Sequence, residues 1–123
     1  MSKKILVIED NPMNRQLIAD ILTYHNFTVI TADNGESGIA MTREQRPDLI
    51  LLDLQMPGMN GFETLRQIRD DPRIQGMKVV AVTSYAMAGD RKQVLAAGFD
   101  GYIAKPLDTK KFPKTVKMMA GEP

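Results

Sequence analysis

The sequence predicts an α/β fold: a doubly wound, five-stranded parallel sheet in the order 2-1-3-4-5, with helices on both faces. Three observations lead there. Short apolar runs such as Ile5-Leu6-Val7-Ile8, Leu49-Ile50-Leu51-Leu52 and Val79-Val80-Ala81-Val82 lack the polar alternation of a half-exposed strand, so they read as strands covered on both sides. Segments with apolar residues at helical spacing separate these runs, so strand and helix alternate along the chain. The connections are short, which implies right-handed crossovers and a parallel sheet.

Taken in order, the first strand is Ile5–Ile8, and Glu9-Asp10 follow it at once. Asn11-Pro12 then supply a helix cap and a first-turn proline. The first helix carries Met13, Leu17 and Ile21 at helical spacing, with Ile18 and Leu22 beside them, and is expected to close at Asn26. His25 at that exit reads as a surface or helix-end histidine. Thr28-Val29-Ile30 form the second strand, and Asp33-Asn34-Gly35 turn the chain into a weakly amphipathic helix that runs to about Gln45.

The third strand, Leu49 onward, ends at Asp53, and Pro57-Gly58 stop regular structure shortly after. Asn60-Gly61 open a helix bearing Phe62, Leu65 and Ile68 on one side, and Asp70-Asp71-Pro72 stop it. Val79–Val82 are the fourth strand, with the hydroxyls of Thr83 and Ser84 at its end. A helix from about Ala88 to Ala96 meets a C-cap at Gly98. Gly101-Tyr102-Ile103 make a short fifth strand, followed by Lys105-Pro106. The last helix presents Phe112, Val116 and Met119 on one face; Pro113 lies early in it, where it removes a backbone bond or delays the start. Periodicity alone does not fix the strand order. The flavodoxin-like order given above is the commonest solution at this length, with about two helices per face.

Composition narrows the function classes. The chain has 123 residues, read as a single domain over 1–123, with 43% apolar and 25% charged residues, close to an ordinary globular protein. Sixteen basic and fifteen acidic residues leave a net charge of +1, which gives no electrostatic argument for direct nucleic-acid binding. Lys110, Lys111, Lys114 and Lys117 cluster locally and read as the solvated face of a helix. The absence of cysteine excludes disulfides, thiolate metal sites and a cysteine nucleophile. No apolar run approaches the roughly 20 residues that span a bilayer. Met1-Ser2-Lys3-Lys4 lead into too short an apolar stretch for a signal peptide, and a cytoplasmic location fits.

The chemistry collects at the strand ends. In a parallel sheet Glu9, Asp10, Asp53, Thr83, Ser84 and Lys105 all project into the crevice outside the carboxyl edge, where ligands bind in open α/β sheets. Each group taken singly has a bland reading: Asp53 as the cap of the next turn, the acidic pair as a surface turn, Lys-Pro as a loop. Together they pose an electrostatic problem. Carboxylates crowded in a desolvated crevice repel, and the cost is tolerated only when positive charge balances it. Lys105 supplies one charge, and a divalent cation would supply the rest. Hard oxygens without His or Cys favour Mg²⁺ (or Mn²⁺) over zinc. The set therefore looks like a phosphoryl-transfer site with Asp53 as nucleophile and with Lys105 and Thr83 as charge and hydrogen-bond donors.

Glu9-Asp10-Asn11, Asp53 within Leu52-Asp53-Leu54-Gln55-Met56-Pro57-Gly58-Met59-Asn60-Gly61, Thr83-Ser84 and Lys105-Pro106 resemble, in order, the response-regulator receiver domain of two-component signalling. The resemblance runs from Lys4 to about Met119. It implies that Asp53 accepts phosphate from the phosphohistidine of a histidine kinase or histidine phosphotransfer protein. It further implies Mg²⁺ held by Asp10, Asp53 and the Gln55 main-chain carbonyl, with Glu9 acting through water, and a cis Lys105-Pro106 peptide. Thr83 and Tyr102 match the family's switch pair, which remodels the surface of the fourth helix, fifth strand and fifth helix; a partly buried strand aromatic is the plainer reading of Tyr102. Gln55 and Tyr85 flank the expected line of water attack, so they are expected to set the lifetime of the phosphoryl group.

The opening and the Ala86–Arg91 segment resemble single-domain regulators of the chemotaxis-regulator and DivK type, and equally receiver domains of hybrid kinases. The expected role is phosphorelay or regulation of a downstream protein, as a monomer or a phosphorylation-dependent dimer, rather than direct DNA binding. Two other classes use related parts. A haloacid-dehalogenase phosphatase wants a second Asp two residues after the nucleophile, where Gln55 stands. A flavodoxin-like nucleotide binder wants a glycine-rich phosphate loop after the first strand, where Glu9-Asp10-Asn11-Pro12 is acidic.

Overall fold

In the computed structural model, which describes residues 2–84 and 88–121, five strands alternate with five helices. They are β1 (Lys4–Ile8), α1 (Pro12–Tyr24), β2 (Thr28–Ala32), α2 (Gly35–Gln45), β3 (Leu49–Asp53), α3 (Gly61–Asp70), β4 (Val79–Thr83), α4 (Ala88–Ala96), β5 (Gly101–Ala104) and α5 (Lys111–Met119). The sheet is parallel throughout, in the order β2-β1-β3-β4-β5.

The apolar runs explain the layering. Along each central strand the side chains alternate between two cores. Leu6, Ile8, Ile50, Leu52, Val79 and Ala81 face one helical layer, and Ile5, Val7, Leu49, Leu51, Val80 and Val82 face the other. Every residue of β3 and β4 is buried. The distribution of helices corrects the expected two per face. Ile39 of α2, Leu65 and Ile68 of α3 and Val94 of α4 share one core, whereas Ile18 and Leu22 of α1 and Phe112 and Val116 of α5 share the other. The partition follows from the strand order. The chain steps one way from β1 to β2 and the opposite way at every later crossover, so right-handed connections set α1 against α2, α3 and α4.

Two helices differ in detail from their sequence reading. In α1 the buried face is built by Ile18 and Leu22, while Met13 and Leu17 are 80% and 48% exposed. In α5 Pro113 is the third helical residue, so its missing N–H is one that the first turn leaves unpaired anyway. The start is held instead by Asp108, whose Oδ1 accepts from the backbone N–H groups of Lys110 and Lys111 at 2.9 and 3.1 Å. Those bonds also hold the Asp108 carboxyl below the usual carboxylate range. His25 is the exposed C-cap of α1, Asn26 beyond it takes the left-handed conformation (φ 72°), and all four clustered lysines are exposed.

Candidate phosphoryl-transfer site

Asp53 is the last residue of β3, and burial of the whole strand fixes which way it points. Its Oδ1 accepts from the backbone N–H of Gln55 at 3.1 Å, which turns the chain immediately after the strand. The chain returns at α3, where Gly61 N–H donates to the Leu54 carbonyl at 3.2 Å. There is no room for a side chain: a Cβ on Gly61 would lie 2.7 Å from both the Asp53 carbonyl oxygen and Leu54 Cα. The nucleophile candidate is thus braced from behind by backbone.

On β1, Ile8 pairs with Leu52, so the next residue, Glu9, comes alongside Asp53. Glu9 is buried; its N–H donates to the Ala32 carbonyl at 3.0 Å and its Oε2 accepts from the Asn11 N–H at 3.3 Å. Asn11 caps α1 by accepting from Met13 N–H and Asn14 N–H. Asp10, between them, is the more open of the pair. Carboxylate oxygens of Glu9, Asp10 and Asp53 lie within 4.8 Å of one another.

Lys105 follows β5. Its backbone N–H donates to the Thr83 carbonyl at 2.8 Å, and the Lys105-Pro106 peptide is cis. The ammonium donates to Glu9 Oε1 at 2.7 Å and stands 3.6 Å from Asp53 Oδ2. One cation thus meets two carboxylates, in a cluster that Asp10 extends to three. Burial, reinforced by the bond to Asp53, raises the Glu9 carboxyl above its ordinary range, and Lys105 opposes that rise only in part.

Thr83 is fully buried at the end of β4. The next residue, Ser84, donates its hydroxyl to Gln55 Oε1, linking the segments that leave β4 and β3. Tyr102 is not among the carboxylates. Its ring packs against the core under α2, α3 and α4, and its buried hydroxyl has no hydrogen-bond partner among the described residues. Burial, with Asp90 nearby, pushes that phenol upward. Tyr85, expected beside Gln55, lies outside the described residues, as do Ala86 and Met87.

Sequence reasoning passed over one residue that touches this site. Arg15 of α1 reaches back to donate from Nη1 to the Glu9 carbonyl at 2.9 Å and to the Asp10 carbonyl at 3.4 Å. A signal was present. Arg15 lies in the opening turns of α1, whose first turn holds no acidic residue, and the helix dipole there favours anions.

Hard oxygen donors around an uncompensated negative charge fit a divalent cation such as Mg²⁺, with Glu9, Asp10 and Asp53 as the available carboxylates. Comparisons with known proteins agree on the family. Residues 5–117 match the model of the response regulator receiver domain. The polar-differentiation response regulator DivK of Brucella anthropi is 35% identical over 122 residues, covering 99% of both chains. Among solved structures, the receiver domain of sensor histidine kinase PA1611 from Pseudomonas aeruginosa, with a magnesium ion coordinated in its active site cleft, is 30% identical with a TM-score of 0.88, covering 99% of this chain and 100% of that one. Chemotaxis protein CheY4 of Vibrio cholerae has a TM-score of 0.88 at 25% identity, covering 97% and 99%. The chain belongs to the response regulator receiver domain family.

Proposed function

We propose that the chain accepts a phosphoryl group on Asp53 from a phosphohistidine of a histidine kinase or phosphotransfer protein, and passes the signal to a downstream protein. The observation that carries this reading is the position of Lys105, whose ammonium spans Glu9 and Asp53 at the carboxyl edge of the sheet. In the step, an Asp53 carboxylate oxygen forms a bond to phosphorus as the phosphorus–nitrogen bond breaks, and the electron pair stays on the leaving imidazole, which takes up a proton. Lys105 is within reach of charge on the transferred group, and the Thr83 hydroxyl is the candidate donor to one phosphoryl oxygen.

Glu9, Asp10, Asp53 and the Gln55 main-chain carbonyl would hold Mg²⁺ (or Mn²⁺), which when bound supplies positive charge to the phosphoryl oxygens. The chain acts on its own phosphoryl group and on no separate substrate. Thr83 and Tyr102 form the switch that alters the α4-β5-α5 surface, on a monomer or on a dimer formed after phosphorylation. Gln55 and Tyr85 limit water attack on the acyl phosphate. We place the protein in the cytoplasm; no helix among the described residues is long and apolar enough to cross a membrane.

Incubation with acetyl phosphate and Mg²⁺, followed by intact mass spectrometry, tests the reading. One added phosphoryl group on the wild type and none on Asp53→Asn is expected. A wild-type protein that stays unmodified defeats the proposal, and rapid multiple turnover favours a phosphatase.

A further inference from the structure

We propose that Arg15 is a positioning residue for the divalent-cation site, acting through the backbone of Glu9 and Asp10 rather than on the cation or the phosphoryl group; this rests on the reading of that site given above. The two carbonyls it engages belong to consecutive residues where β1 has ended. The sheet ladder no longer fixes them beyond the bond from Glu9 N–H to Ala32, and α1 has not yet begun. A single guanidinium nitrogen, carried one turn into α1, clamps both carbonyls and sets the orientation in which the two side chains leave the chain. Arg15 therefore locks the acidic loop to the helix that follows it. A charged donor to a backbone carbonyl is stronger than a neutral one, which favours one setting of a short loop.

The charge and the hydrogen bonds of Arg15 push cation affinity in opposite directions. A positive group beside the carboxylates repels a bound cation, so on Coulomb's law alone its removal tightens Mg²⁺ binding. A clamp on the ligand-bearing backbone preorganises the site, so its removal weakens binding. The sign of the change therefore separates the two roles.

The measurement is calorimetric titration of the metal-free protein with Mg²⁺ alone, for wild type, Arg15→Ala, Arg15→Lys and Arg15→Gln. The expected result is a Kd raised about 10-fold in Arg15→Ala, at the lower end of the range for loss of an outer-shell partner. Arg15→Lys, which keeps a charged donor, should stay within about threefold of wild type, and Arg15→Gln should fall between. Should Arg15→Ala fail to fold, the order of the Lys and Gln variants carries the test. Unchanged or tighter binding in folded Arg15→Ala, or in Gln relative to Lys, overturns the positioning role. Wild-type protein that binds no Mg²⁺ overturns the cation site itself, and phosphorylation of wild-type Asp53 is scored separately.

Discussion

Asp53 and Glu9 are both buried with an oxygen facing the same ammonium, yet the two acids carry different loads. Glu9 takes the short bond to Lys105, which leaves Asp53 the longer approach. Neutralising Asp53 removes one of three crowded negative charges and gives up only a 3.6 Å approach to Lys105. Asp53→Asn should therefore stabilise the protein in chelator-treated buffer by about 1 kcal/mol, a rise of roughly 3–5 °C in midpoint at this size. Excess Mg²⁺ should stabilise the wild type but not the variant; equal responses would show that Asp53 is no ligand. Tyr102 offers a second test at this scale. Its buried hydroxyl lacks a partner among the described residues, so Tyr102→Phe should gain about 1 kcal/mol in urea unfolding. A loss would reveal a bond to that oxygen. The acidic pair, Asp53 and Lys105 were legible in the sequence because strand ends carry ligand chemistry in this kind of sheet. Arg15 was legible only as a basic residue set against the helix dipole; its contact runs to main chain, and main-chain partners leave no complementary residue type to read.

Among the elements, α1 shows the limit of periodicity. Met13, Leu17 and Ile21 sit at helical spacing as well as Ile18 and Leu22 do, and the apolar residues cover more than half of the helix circumference. Only docking decides which arc turns inward, and it selects Ile18 and Leu22. Bounds were readable where turn residues mark them, unlike the start of α5; Asn60 marks α3, where its Oδ1 accepts from Glu63 N–H at 3.0 Å. The junction between β3 and α3 carries a prediction of its own. Gly61→Ala places a methyl group against backbone that cannot move aside, and should cost on the order of 1–3 kcal/mol. Because the crowded atoms belong to Asp53 and Leu54, the folded fraction should also phosphorylate more slowly with acetyl phosphate. Wild-type stability and rate in this variant would mean that α3 shifts freely from the strand.

Across the molecule, Asp71 fastens α2 to the loop before β4. Arg43 donates to its Oδ2 at 2.8 Å, and Arg73 donates to both oxygens from its side chain and to Oδ1 from its backbone N–H. The Arg73 and Arg43 bonds hold this carboxyl far below the ordinary carboxylate range. A lowered folded-state pKa adds stability that is complete above the unfolded value, about 3.9, and is lost as pH falls toward the folded one. Thermal midpoints should therefore drop below about pH 4, and Asp71→Asn should flatten that limb while lowering the plateau. An unaltered acid limb in the variant would assign the loss to other carboxylates. High salt should shrink the effect, since both arginines are partly open to solvent. The overall fold was legible because its three central strands are apolar on both sides. The three-and-two division of helices was implied by the expected strand order together with right-handed crossovers, and periodicity alone fixes neither.

Complete burial makes β3 a measuring rod. Its residues alternate in parity between two filled layers, so one inserted residue would trade Leu49 and Leu51 for Ile50 and Leu52 and swing the terminal acid to the opposite side of the sheet. Two inserted residues would restore parity but carry the acid about 6.6 Å too far along the strand axis. The distance from the strand's first residue to its reactive end is thereby quantised, and relatives that keep this chemistry should vary in length at their loops, never between Leu49 and Asp53.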